Sequence, residues 1–141
     1  MIKTVNYYMQ DFMPNIVIID DDDDDSDLLK EAIWQVMPET HCFVEPSATG
    51  AVDRLNRKDV PKPDLIFLDL DMPVTNGVQC LLELKGNPEL ESVPVVIYTG
   101  SKSHDQRAQT LTSGANYFIT KPASFREICR VVSEILAQEI K

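Results

Sequence analysis

Five times along this chain a short, mostly apolar run is followed by a stretch of helical spacing, and no other feature restricts the fold so much. The runs are Ile16–Ile19, His41–Val44, Leu65–Asp69, Pro94–Thr99 and Tyr117–Thr120. They are too short for helices and rich in β-branched and aromatic residues, the pattern of strands buried on both faces. Between them, apolar residues recur at three and four positions. Leu28, Leu29, Ala32, Ile33, Val36 and Met37 form the first stripe, ending before Pro38, and Ala48, Ala51, Val52 and Leu55 the second. Gly77 opens a third helix with Val78, Leu81, Leu82 and Leu84 expected inward. The fourth, Gly100 to Gly114, is weakly amphipathic, with Ala108 and Leu111 as its anchors. Phe125, Ile128, Cys129, Val132, Ile135 and Leu136 make the last helix. Strand and helix in strict alternation predict an α/β chain whose parallel sheet is covered on both faces. Residues 1–14 lack a sustained period and are read as an N-terminal extension, with one domain over 15–141.

Charge narrows the partners. A net charge of -10 argues against nucleic-acid binding, which needs basic patches. No apolar run approaches the ~20 residues of a membrane span, and no signal peptide is evident, so a soluble cytoplasmic protein is expected. Cys42, Cys80 and Cys129 are widely spaced and fit no metal-ligand pattern, as in a reducing compartment.

The carboxyl ends of the runs carry the chemistry. The first delivers Asp20 and Asp21, the third Asp69, the fourth Thr99 and the fifth Lys121. In an open parallel sheet all of these meet at one edge, where ligands bind. Carboxylates crowded together repel one another, and a hard divalent cation such as Mg²⁺ relieves that conflict. A lysine and a threonine beside them suit the oxygens of a phosphoryl group, with Asp69 as the nucleophile. Asp22–Asp25, the rest of the acidic run, are read as caps and favourable charge at the start of the first helix.

On these residues the chain resembles the receiver domain of two-component response regulators, from about Asn15 to Ile140. IVIIDDDDDD is similar to the family's first strand and acidic pair, and LIFLDLDMPVTNG to its phosphoacceptor motif. VVIYTG matches the strand with the switch hydroxyl and GANYFITKP the segment with the lysine; PELESVPVVIYTGS is similar to stand-alone, phytochrome-associated regulators. The resemblance implies a flavodoxin-like (βα)5 three-layer sandwich with a five-stranded parallel sheet in order 2-1-3-4-5. It implies phosphorylation of Asp69, with Lys121 and Thr99 assisting, by a histidine kinase or histidine phosphotransfer protein. It implies Mg²⁺ held by Asp21, Asp69 and the backbone carbonyl of Asp71, with Asp20 acting through water, and a cis Lys121–Pro122 peptide. Thr99 and Phe118 fall on the switch positions. Phe118 lacks the hydroxyl that a tyrosine would carry there. Asp71 departs from the pattern by adding charge beside the phosphoryl group, and with Ser101 is expected to set its lifetime. No further domain is expected after the last helix, so output is expected through protein contact at the face of the fourth helix, fifth strand and fifth helix. That face is also compatible with a weak homodimer.

Two other functions compete. DLDMPV is similar to the DxDx[TV] motif of haloacid-dehalogenase-type phosphatases, which use the same chemistry. Its fifth position is Pro73, however, and the acidic pair precedes the nucleophile instead of following the lysine. A receiver-like scaffold that is never phosphorylated is the remaining alternative, against which stand five suitably filled site positions.

Overall fold

A computed structural model describes residues 13–72 and 77–140. Residues 1–12, most of the expected N-terminal extension, and Pro73 of the expected turn lie outside the described residues. The elements follow the predicted alternation. The strands are β1 (Asn15–Ile19), β2 (His41–Glu45), β3 (Leu65–Leu68), β4 (Val95–Thr99) and β5 (Tyr117–Thr120). The helices are α1 (Asp23–Val36), α2 (Ala48–Asn56), α3 (Gly77–Gly86), α4 (His104–Thr112) and α5 (Phe125–Glu139). All strand pairs are parallel and the order is β2-β1-β3-β4-β5, as expected.

The central strands explain why no polar alternation is visible in the sequence. Ile16 and Ile18 of β1 join Leu65, Phe67, Val96 and Tyr98 beneath α1 and α5. Val17 and Ile19 join Ile66, Leu68, Val95 and Ile97 beneath α2 and α3. With helices on both faces, the two-residue period divides apolar side chains between two cores. Among the described residues, no helix is long and apolar enough to cross a membrane.

The helix stripes need correction in places. Leu82 is 47% exposed, and Cys80, absent from the expected stripe, joins Leu81 and Leu84 on the buried side of α3. Leu28 likewise points outward from α1. The fourth helix is shorter than Gly100–Gly114, because Ser103 caps it by accepting from the Gln106 N–H. Its expected anchors Ala108 and Leu111 are exposed, and its buried residue is Thr110. A threonine tolerates that position because its hydroxyl donates to the Gln106 carbonyl at 2.8 Å. Lys121–Pro122 is trans, since no cis peptide occurs among the described residues.

Gly77 ties α3 to the end of β3. A Cβ there would lie 2.9 Å from the Leu70 Cα and 2.8 Å from its Cδ2. Only glycine lets the helix start this close to the chain leaving Asp69.

Candidate metal centre at the carboxyl edge of the sheet

The sheet's hydrogen-bond ladder runs one residue past the strands and so places the polar side chains in line. Asp20 N–H donates to the Glu45 carbonyl at 3.0 Å, Asp69 N–H to Ile19 at 2.9 Å, and Lys121 N–H to Thr99 at 2.7 Å. Parallel register does the rest: Ile19 pairs with Leu68, so the residues that follow them, Asp20 and Asp69, emerge side by side. This edge lies where the strand order reverses around β1 and β3, the position at which doubly wound sheets open a crevice.

The carboxylates of Asp20, Asp21 and Asp69 each offer an oxygen, all within 4.8 Å of one another. Asp20 and Asp69 are only 3% and 4% exposed, whereas Asp21 faces solvent. Both buried acids are held by short turns. Asp20 Oδ1 accepts from the Asp22 N–H at 2.9 Å, and Asp69 Oδ1 from the Asp71 N–H at 3.1 Å. These bonds leave the second oxygens, Oδ2, to accept from Lys121.

Lys121 Nζ donates to Asp25 Oδ2 at 2.8 Å, Asp20 Oδ2 at 2.9 Å and Asp69 Oδ2 at 3.2 Å. Burial pushes the Asp20 carboxyl up to about 6, and the nearby Asp69 charge adds to this, against the lowering effect of the Asp22 N–H and Lys121. Burial works in the opposite sense on Lys121. The hydrogen bonds of Asp25 and Asp20 and the charges of Asp20 and Asp69 outweigh it, holding the ammonium above the usual lysine range. Three carboxylates thus share one cation, and the cluster keeps excess negative charge. Hard oxygen donors in this arrangement fit a small divalent cation.

Thr99 is fully buried, and its hydroxyl donates to Asp71 Oδ2 at 2.9 Å. Ser101, two residues on, accepts from the Ser103 N–H. Phe118 is buried in the α2–α3 core, with the Arg107 guanidinium 5.8 Å from its ring centre. Arg107 also donates to the Phe118 carbonyl at 3.2 Å. Asp20, Asp21, Asp69 and Lys121 therefore meet as the sequence predicts. Thr99 lies one loop away, joined to them through Asp71.

Sequence reasoning missed Asp25. Asp22 does cap α1, its Oδ1 accepting from the Asp25 N–H at 3.0 Å, but Asp25 itself reaches across to Lys121. The available signal was position. Asp25 is the third residue of α1, and helical side chains lean toward the helix N-terminus, here toward the sheet edge.

The chain is similar to known proteins in sequence and in fold. The family model described as response regulator receiver domain matches residues 16–133. Response regulator Rcp1 of Synechocystis sp. is 35% identical over 75 residues, covering 53% of this chain and 51% of that protein. The phosphate regulon transcriptional regulatory protein PhoB of Escherichia coli is 34% identical over 87 residues, 62% of this chain and 37% of that one. These alignments span about half or less of each curated relative's length. Among solved structures, the phosphorylated cyanobacterial phytochrome response regulator RcpA superposes with a TM-score of 0.84 at 26% identity, over 92% of this chain and 95% of that one. The Mn²⁺-bound form of Rcp1 gives 0.80 at 26% identity, over 91% and 95%.

Proposed function

The chain belongs to the response regulator receiver domain family, and on that premise we propose that it carries a phosphoryl group on Asp69, received from a phosphohistidine of a histidine kinase or phosphotransfer protein. The observation that carries this reading is Lys121 Nζ lying 3.2 Å from a buried Asp69 that also belongs to a three-carboxylate cluster. Residues 15–141 are the receiver unit in this reading and residues 1–14 an extension.

Asp21 and Asp69 would hold Mg²⁺ with their side chains, Asp71 with its backbone carbonyl and Asp20 through a water. Bound there, Mg²⁺ supplies charge stabilisation for the transferring group. Asp69 attacks phosphorus through a carboxylate oxygen, and the phosphorus–nitrogen bond to the donor histidine breaks. The leaving imidazole takes its proton from solvent. Lys121 stays beside the new acyl phosphate as a point charge and a donor. Thr99 gives up Asp71 and turns its hydroxyl to a phosphoryl oxygen. Phe118 then repacks, which requires Arg107 to shift, and the face of α4, β5 and α5 passes the change to a protein partner in the cytoplasm. The same face would serve a weak homodimer.

Asp71 sets the lifetime of this state together with Ser101. An acid next to a dianionic group repels it, and this one also competes for the Thr99 proton. Asp71→Asn is expected to slow dephosphorylation about threefold or more, the scale of one screened charge contact. Phosphoryl decay followed by intact mass checks this, and an unchanged rate counts against the assignment.

Incubation with acetyl phosphate tests the reading as a whole. One phosphoryl adduct is expected with Mg²⁺ and none with a chelator. Absence of any adduct supports the scaffold reading. Multiple turnover on small phosphate esters would support a phosphatase, which membership of the receiver family does not favour.

A further inference from the structure

We infer that Asp25 is a positioning residue for phosphotransfer, holding the Lys121 ammonium beside Asp69 while the other carboxylates serve the cation. The inference rests on the proposed phosphoacceptor role of Asp69. An ammonium has three N–H donors, and Lys121 spends them on Asp25, Asp20 and Asp69. Two of these partners, Asp20 and Asp69, belong to the carboxylate cluster that suits a divalent cation. Asp25 does not.

That difference gives Asp25 a task. A divalent cation in the cluster draws on the oxygens of Asp20 and Asp69 and repels the neighbouring ammonium. Without a further anchor, the flexible lysine arm would swing toward solvent whenever the cation binds. Asp25 supplies the anchor at 2.8 Å, the shortest of the three contacts. Its own backbone is fixed because its N–H donates to the Asp22 cap. A phosphoryl group added at Asp69 takes over the Asp69 contact with Lys121 and leaves the Asp25 contact in place, so Asp25 orients the lysine without competing with the phosphoryl oxygens.

A simple helix-dipole role does not account for this contact. Asp23 and Asp24 share the first turn of α1 and its field, yet Asp25 is the one bonded to Lys121. An acid present only for the helix would act equally well with its side chain in water.

The test measures the initial rate of phosphoryl uptake by the whole chain from acetyl phosphate at saturating Mg²⁺. Asp25→Asn is expected to be about tenfold slower, the fold-change that accompanies loss of one charge-assisted hydrogen bond. Asp25→Glu, which keeps the charge on a longer arm, should recover most of the rate. In a Lys121→Met background, adding Asp25→Asn should change the rate less than about twofold, because the two residues act as one unit. A wild-type rate in Asp25→Asn would overturn the inference. So would a full tenfold loss in the Lys121→Met background, since Asp25 would then be acting on the helix or on the field. A wild-type chain that takes up no phosphoryl group at all would overturn the underlying reading and this inference with it.

Discussion

Asp69→Asn is expected to abolish phosphoryl uptake while leaving the fold intact. The carboxamide oxygen carries no full negative charge and cannot displace a phosphoryl donor, so the chemical step is lost outright. The local structure does not depend on that charge. The amide oxygen can still accept from the Asp71 N–H, as Asp69 Oδ1 now does at 3.1 Å. Lys121 keeps Asp25 and Asp20 as partners. Taking one carboxylate from the cluster should also weaken Mg²⁺ binding about tenfold or more, as expected when an ionic ligand becomes neutral. Circular dichroism and intact mass after acetyl phosphate treatment measure the two halves of this prediction. An adduct at wild-type level would move the acceptor to another residue.

The second large effect is on stability. Asp20→Asn should make the protein more stable at pH 7 in the presence of a chelator. Asp20 is nearly inaccessible, and its carboxyl stands at about 6 where an exposed aspartic acid stands near 3.8. A group whose folded pKa is raised favours the fold when protonated. That contribution is complete below pH 3.8 and is lost as pH rises through about 6. At neutral pH the ionised carboxylate therefore costs about 3 kcal/mol relative to acid. Asparagine removes this cost but also weakens one hydrogen bond to Lys121, an offset of about 1–2 kcal/mol. A net gain of about 1–2 kcal/mol should raise the thermal midpoint by about 5 °C. The variant's advantage should be largest above pH 6 and shrink as pH falls toward 4, where the wild-type carboxyl is protonated and the ionisation cost is gone. Mg²⁺ reverses the ranking, because cation binding stabilises the wild type by mass action and the variant much less. Thermal melts across pH, with chelator and with Mg²⁺, check the sign. A variant less stable than wild type at pH 7 in chelator would show that Lys121 already compensates Asp20 in full.

The cost at Asp20 illustrates how a binding site strains the fold that carries it. Burying like charges without their cation lowers stability, and the same burial gives the cluster its affinity for a cation. One lysine among three carboxylates relieves part of the conflict and leaves the rest for the ligand.

What the sequence made legible follows from which physical rules are local. Ile16–Ile19 and Leu65–Leu68 could be assigned to strands because burial on both faces leaves unbroken apolar runs. Once the sheet was known to be parallel, Asp20, Asp69 and Lys121 had to share an edge, since each follows the last residue of a strand. The helix faces were harder. Leu81 and Leu82 are equally apolar and stand about 100° apart on α3; the seating of that helix against Leu70 at Gly77 decides that Leu81 goes inward. Thr110 is buried in place of Leu111 because a back-bonded hydroxyl can enter a core, a choice invisible to a hydropathy pattern. Asp25 escaped for a different reason. Its partner stands 96 residues away, and a run of six aspartates gives no local clue to which one turns toward a lysine.

Chemical trapping tests the central claim most directly. Borohydride reduces an aspartyl phosphate to homoserine with release of phosphate, marking the acceptor permanently. After treatment with acetyl phosphate and Mg²⁺, peptide sequencing by mass spectrometry should find homoserine at position 69 and nowhere else, and none when Mg²⁺ is chelated. Conversion at another aspartate, or no conversion in protein exposed to the donor and the cation, would contradict the account.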